Sequence, residues 1–187
     1  LGEGNVIEQN ISINGANDYL KINADNVGGT IDNTKGSTVE LVGSASGREL
    51  KDGSIITGGK IVISGGKVTT DVDNLQSVNG ITNEDGSTVA LKAGNLVDTL
   101  TANLDADNKA TNGKVEIIGT TGDVLTINQS ATITQKEMSI AEGVIVNVYA
   151  SDVVITDGID NAGTLQLNSG NLVSGIHNEA GTTEIVT

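Results

Sequence analysis

The stretch NLDADNKATNG, residues 103–113, sets two carboxylates and several amide and carbonyl oxygens on one short loop. Oxygen ligands at alternating positions suit a hard divalent cation, so Asp105, Asp107 and Asn112 are the candidate calcium ligands. Lys109 stands where such a loop would place its third oxygen, and the tandem Gly-rich nonapeptides of calcium-loaded β-rolls are absent. No other cofactor is expected. In TTDVDN, Asp71 and Asp73 alternate, and a strand would put both on one face as paired carboxylates for glycosidic bond cleavage. Sugar platforms are normally aromatic, yet the chain has two Tyr and no Phe or Trp, and a single Arg, Arg48, to meet an acidic polysaccharide. The one His, His177, occupies a position filled by Asp32, Thr82 and Asp160 in related phrases, which reads as solvent-facing. No residue is assigned a catalytic role. The pairs Gly28-Gly29, Gly58-Gly59 and Gly65-Gly66 open no helix and read as turns, without the context of a phosphate cradle.

The elements that must hold these residues are written in the composition. Of 187 residues, 52 are Ile, Val or Leu, which places the chain among folded proteins with a continuous core. A core without aromatics is a narrow one, filled by stacked aliphatic side chains. There are 25 Gly, 20 Asn and 21 Thr but no Pro, so the chain turns often and keeps its backbone donors while turning. The net charge of −14 argues against nucleic acid and anionic bilayers as partners, since both require clustered cations. The absence of Cys excludes disulfides and thiolate chemistry. No apolar run approaches the roughly 18 residues of a membrane span. Beginning at Leu1 and stopping in the strand-like TTEIVT, residues 1–187 read as a single segment of a longer protein.

One phrase recurs. IDNTKGSTVEL begins at Ile31, ITNEDGSTVAL at Ile81, IDNAGTLQL at Ile159 and IHNEAGTTEI at Ile176, with a loose period of about 17 to 25 residues. Between the copies lie runs of three to six residues rich in Ile, Val and Thr, such as YLKIN, KIVIS, VLTIN and DVVIT, bounded by Gly, Asn, Asp or Ser. These are strand and turn signals. Only QKEMSIAEG (Gln135 to Gly143) has any helical character, one or two turns at most, and the TIT of Thr132 to Thr134 is too short for a threonine lattice. The pattern predicts an all-β, right-handed parallel β-helix of about eight to ten rungs, with Asn33, Asn83, Asn161 and Asn178 stacked turn on turn. Asn83 and Asn161 would then lie about four rungs apart. Ile31, Ile81, Ile159 and Ile176 should point inward. Each phrase Asn should sit at a bend, tolerating the left-handed region and hydrogen-bonding its neighbour, and Gly36, Gly86, Gly163 and Gly181 should take positive φ or permit close approach.

GIDNAGTLQLNSGNLVSGI, and more loosely GITNEDGSTVALKAGNLV and TIDNTKGSTVELVGS, resemble the passenger regions of bacterial autotransporters and filamentous-haemagglutinin-like adhesins. Those proteins repeat I-x-N-x-G-T-L-x-L followed by a Gly-rich turn. The resemblance covers about half the chain, and neither a β-barrel translocator nor a protease triad accompanies it. It implies a non-enzymatic rod, extracellular or on a bacterial cell surface, that adheres to a host or neighbouring cell surface or to itself. Two other readings stand beside it: a structural filament subunit joined by strand pairing of end rungs, and a carbohydrate-active β-helix of lyase or glycosidase type.

Overall fold

The structure, a computed structural model, describes residues 6–33, 35–77, 79–84, 86–168, 172–173 and 175–186. Short β-branched runs cannot bury a face alone, and here each buries its inward face by coiling. Every pair of neighbouring strands in the ladders is parallel, and the chain winds a β-solenoid of about eight turns with three sides. One side carries eight strands: Tyr19–Asn23, Thr38–Val42, Lys60–Ser64, Ile81–Asn83, Thr99–Ala102, Thr132–Gln135, Asp152–Ile155 and Leu172–Val173. The next carries seven: Arg48–Glu49, Lys67–Thr70, Thr88–Leu91, Lys114–Ile117, Glu137–Ile140, Ile159–Asn161 and Ile176–Asn178. The third side is split. Its first sheet comprises Ile11–Ser12, Thr30–Asp32, Ile55–Thr57 and Leu75–Gln76; its second comprises Gly94–Leu96, Val124–Ile127, Ile145–Val148, Thr164–Leu167 and Thr182–Ile185. At the ladder spacing the eight-stranded side is about 35 Å long.

Alternation along each strand puts every second side chain into the coil. On the eight-stranded side Val39, Ile61, Ile81, Leu100, Ile133 and Val153 follow one another in register, each no more than 2% exposed. Each such aliphatic residue contributes roughly 1.5–3 kcal/mol by leaving water. Stacking like on like fills a bore too narrow to need aromatic rings.

The recurring phrase proves to be a corner, and it is used at all three corners. Asn33 follows a strand of the split side, Asn83 ends a strand of the eight-stranded side, and Asn161 ends one of the seven-stranded side. Of the four phrase asparagines, Asn161 and Asn178 are in register with each other. Asn83 and Asn161 are therefore separated by three turns and one further side, not by four whole rungs. Nor are these asparagines left-handed: Asn108 is the one non-glycine residue with positive φ among the described residues. Asn33, Asn83 and Asn161 instead turn inward, fully buried, and donate from Nδ2 to the carbonyls of Ser37 (2.7 Å), Lys114 (3.0 Å) and Thr182 (3.0 Å). A buried amide satisfies backbone groups that the corner breaks out of the ladder.

The phrase glycines behave as expected, in two ways. Gly36 and Gly86 have φ of 87° and 70°, whereas Gly163 and Gly181 admit close backbone from the neighbouring turn. Ile31, Ile81 and Ile159 are buried and Ile176 half-buried. QKEMSIAEG contains no helix: Glu137–Ile140 is a strand held by Lys114–Ile117 and Ile159–Asn161. Helical structure among the described residues is limited to the single 3-10 turns Ala24–Asn26 and Val72–Asn74.

Candidate ligand groove

The split side breaks where the chain takes a shortcut. To cross it, the third and fourth turns use residues 50–59 and 71–80, and later turns use 118–131 and 141–151. The fifth turn crosses in residues 92–98 alone, at least three fewer. Its strand Gly94–Leu96 lies against the 3-10 turn Val72–Asn74 and pairs upward with Val124–Ile127, leaving the upper edge of Leu75–Gln76 without a strand partner. The other two sides run through this level unbroken.

The missing length leaves a groove of about 620 Å³. Its floor is apolar, from Val72, Leu75 and Leu96, all buried, and from Val97, which is 52% exposed. Gln76 and Asn95 stand exposed at its sides. Asp73 hangs beside Gly94, its Oδ1 3.5 Å from where a side chain on that glycine would begin. Asp98 is half-buried, and its Oδ2 accepts the Ser77 N–H at 3.1 Å. Burial pushes the Asp98 carboxyl above its ordinary value, and the Ser77 N–H draws it back less. From Val97 the depression continues along the same corner past Asn128, Gln129 and Ser130 and on to Tyr149 and Asn168. The Ser130 hydroxyl donates to the Val97 carbonyl at 3.2 Å, tying the sixth turn to the groove floor.

The residues singled out by sequence fall elsewhere. Residues 103–113 leave the solenoid between its eight- and seven-stranded sides, also in the fifth turn, and return through an antiparallel bridge between Leu104 and Ala110. Asp105 Oδ1 accepts the N–H groups of Asp107 and Lys109, each at 2.9 Å, and Asn112 Oδ1 accepts the Asn103 N–H at 3.1 Å. Asp105 and Asn112 thus shape the loop, and Asp107 is exposed on it. Glu116 stands twelfth counting from Asp105, the place of a bidentate ligand in a calcium loop, but it lies within Lys114–Ile117. There it pairs with Lys67 at 2.5 Å and Lys114 at 3.3 Å. Burial pushes the Glu116 carboxyl up, but the hydrogen bonds and charges of these two lysines outweigh it and hold the group below its ordinary value. Among the described residues no three His, Cys, Asp or Glu side chains converge as metal ligands.

Asp71 and Asp73 do not share a strand face, because the strand ends at Thr70 and Asp71 caps the 3-10 turn that carries Asp73. What Asp73 meets instead is the Asp98 groove, a neighbour 25 residues away that no local spacing announces. His177 lies outward in register with Asp160, 3.6 Å from it. Thr132 and Thr134 do not stand alone: Thr99 and Thr101 lie beside them in the preceding turn, in register, with Thr82 next to Thr101. No helix among the described residues is long and apolar enough to cross a membrane. Comparison with known protein families, curated proteins and solved structures returns no match for this chain.

Proposed function

We propose that this chain is part of a cell-surface or secreted rod that acts by contact, adhering to a host or neighbouring cell surface or to copies of itself, without catalysing a reaction. The observation that carries this reading is the depression along one corner, running from the third turn to the eighth on a narrow, tightly stacked scaffold. An open track of that length, lined by amides, short apolar side chains, two carboxylates and Tyr149, suits an extended macromolecule better than an enclosed small molecule. The adhesin-like wording of the corners supports the same reading and its extracellular setting.

Beads coated with the purified rod test it. Adhesion predicts that they are retained on intact cells, and self-association that they clump with one another. Coated beads that neither bind nor clump more than bare beads would refute both. A carbohydrate-active reading draws on one observation, the presence of half-buried Asp98 and exposed Asp73 in one groove. It requires reducing ends to appear when the rod is incubated with a glycan panel, and none to appear with Asp98→Asn.

A further inference from the structure

The shape of the groove follows from what is missing. Gly94–Leu96 of the shortened fifth turn takes the lower edge of Val124–Ile127 in the sixth and lies against Val72–Asn74 of the fourth, but it does not pair with Leu75–Gln76. The Leu75–Gln76 edge has no strand above it, and the Ser77 N–H, which a strand carbonyl would accept, is accepted by the Asp98 carboxylate. Beside that carboxylate lies an apolar floor with Val97 open to solvent, and Asp73 of the fourth turn lines the same groove. The residues lining the groove include two carboxylates and neither Lys nor Arg.

We propose that this notch docks an extended segment of a partner protein, which lays the aliphatic stem of a Lys or Arg over Val97 and sets its charge between Asp73 and Asp98. The inference rests on the contact reading above and names the partner's chemistry. An alkyl stem on an apolar floor with its cation at carboxylates uses both halves of such a side chain. A backbone lying along the Leu75–Gln76 edge adds the hydrogen bonds of strand addition. Charge favours a foreign partner over a second copy. Each chain carries −14, and five of its nine lysines, Lys21, Lys67, Lys92, Lys114 and Lys136, are engaged in ion pairs with its own carboxylates.

The test is a fluorescence-anisotropy titration at physiological salt with the labelled peptide acetyl-Val-Thr-Lys-Thr-Val-amide and its acetyl-lysine counterpart. The proteins are the wild-type rod, Asp98→Asn, Val97→Trp and the distant control Asp160→Asn, each checked for an unchanged circular dichroism spectrum. The proposal expects saturable binding of the lysine peptide, weakened about tenfold or more by lysine acetylation, by Asp98→Asn and by Val97→Trp, and left unchanged by Asp160→Asn. Equal weakening by Asp160→Asn would reduce the effect to general attraction to an acidic protein and overturn it. So would the absence of binding, indifference to Asp98→Asn, displacement of the peptide by a neutral oligosaccharide, or sedimentation showing rods paired through this notch. If Asp98→Asn and Val97→Trp beads still adhere to cells while wild-type rods capture no peptide, the notch assignment falls and the contact reading stands. If the beads neither adhere to cells nor clump with one another, the contact reading falls with it.

Discussion

A methyl group on Gly163 would meet the carbonyl oxygens of Val144 at 2.3 Å and Ala141 at 2.6 Å, both fixed backbone. Gly163→Ala is therefore expected to cost about 2–4 kcal/mol in urea unfolding. Gly122→Ala is expected to cost about 1–2 kcal/mol, since φ there is 94° but no atom lies within 4 Å of the new methyl group. Asn161 donates to Thr182 O and Asn178 Oδ1 and accepts the Gly163 N–H at 3.1 Å, all at a buried corner. Asn161→Ala should cost about 1–3 kcal/mol by the same measurement, because it strands those partners. Asp98 supplies a pH test. A carboxyl whose value rises on folding favours the folded state when protonated, below about pH 4, and loses that contribution as the pH climbs through its folded value. Asp98→Asn retains an acceptor for Ser77 without the charge. It should raise Tm at pH 7, and the gain should close as the pH falls towards 4. Position by position, the inward isoleucines and the turn glycines were legible, because alternation and missing side chains leave marks in sequence. The buried Asn was not, since a corner amide and a left-handed Asn are spelled alike.

At the scale of elements, strand type followed from composition, but the side of the coil each strand belongs to did not. A three-sided solenoid offers three equivalent corners, so one phrase closes any of them and its spacing counts corners, not turns. The same ambiguity hid the groove, which comes from a crossing three residues shorter than the one before it and seven shorter than the one after. The projecting loop of residues 103–113 was visible as an irregular stretch, and its oxygens serve its own Asx turns. Its shape should therefore not depend on a cation. Millimolar calcium or chelator should leave Tm and proteolytic cleavage within the loop unchanged, while Asp105→Ala should speed that cleavage, as the Asp107 and Lys109 N–H groups lose their acceptor.

As a whole the molecule is a stack whose turns touch their neighbours above and below, and its coherence comes from a continuous aliphatic column with parallel ladders around it. Such a body has a narrow, filled interior and much outer surface, and the contact function proposed above would use that surface. The shortened fifth turn gives that surface a depression of about 620 Å³. The most direct measurement is the retention of rod-coated beads on intact cells, with wild-type rod compared against Val97→Trp, which fills the groove floor from an already exposed position. Firm retention by the wild type is expected, and about tenfold less by Val97→Trp at equal coating and unchanged Tm. Wild-type beads that are neither retained on cells nor clumped together above the level of bare beads would contradict contact as the function.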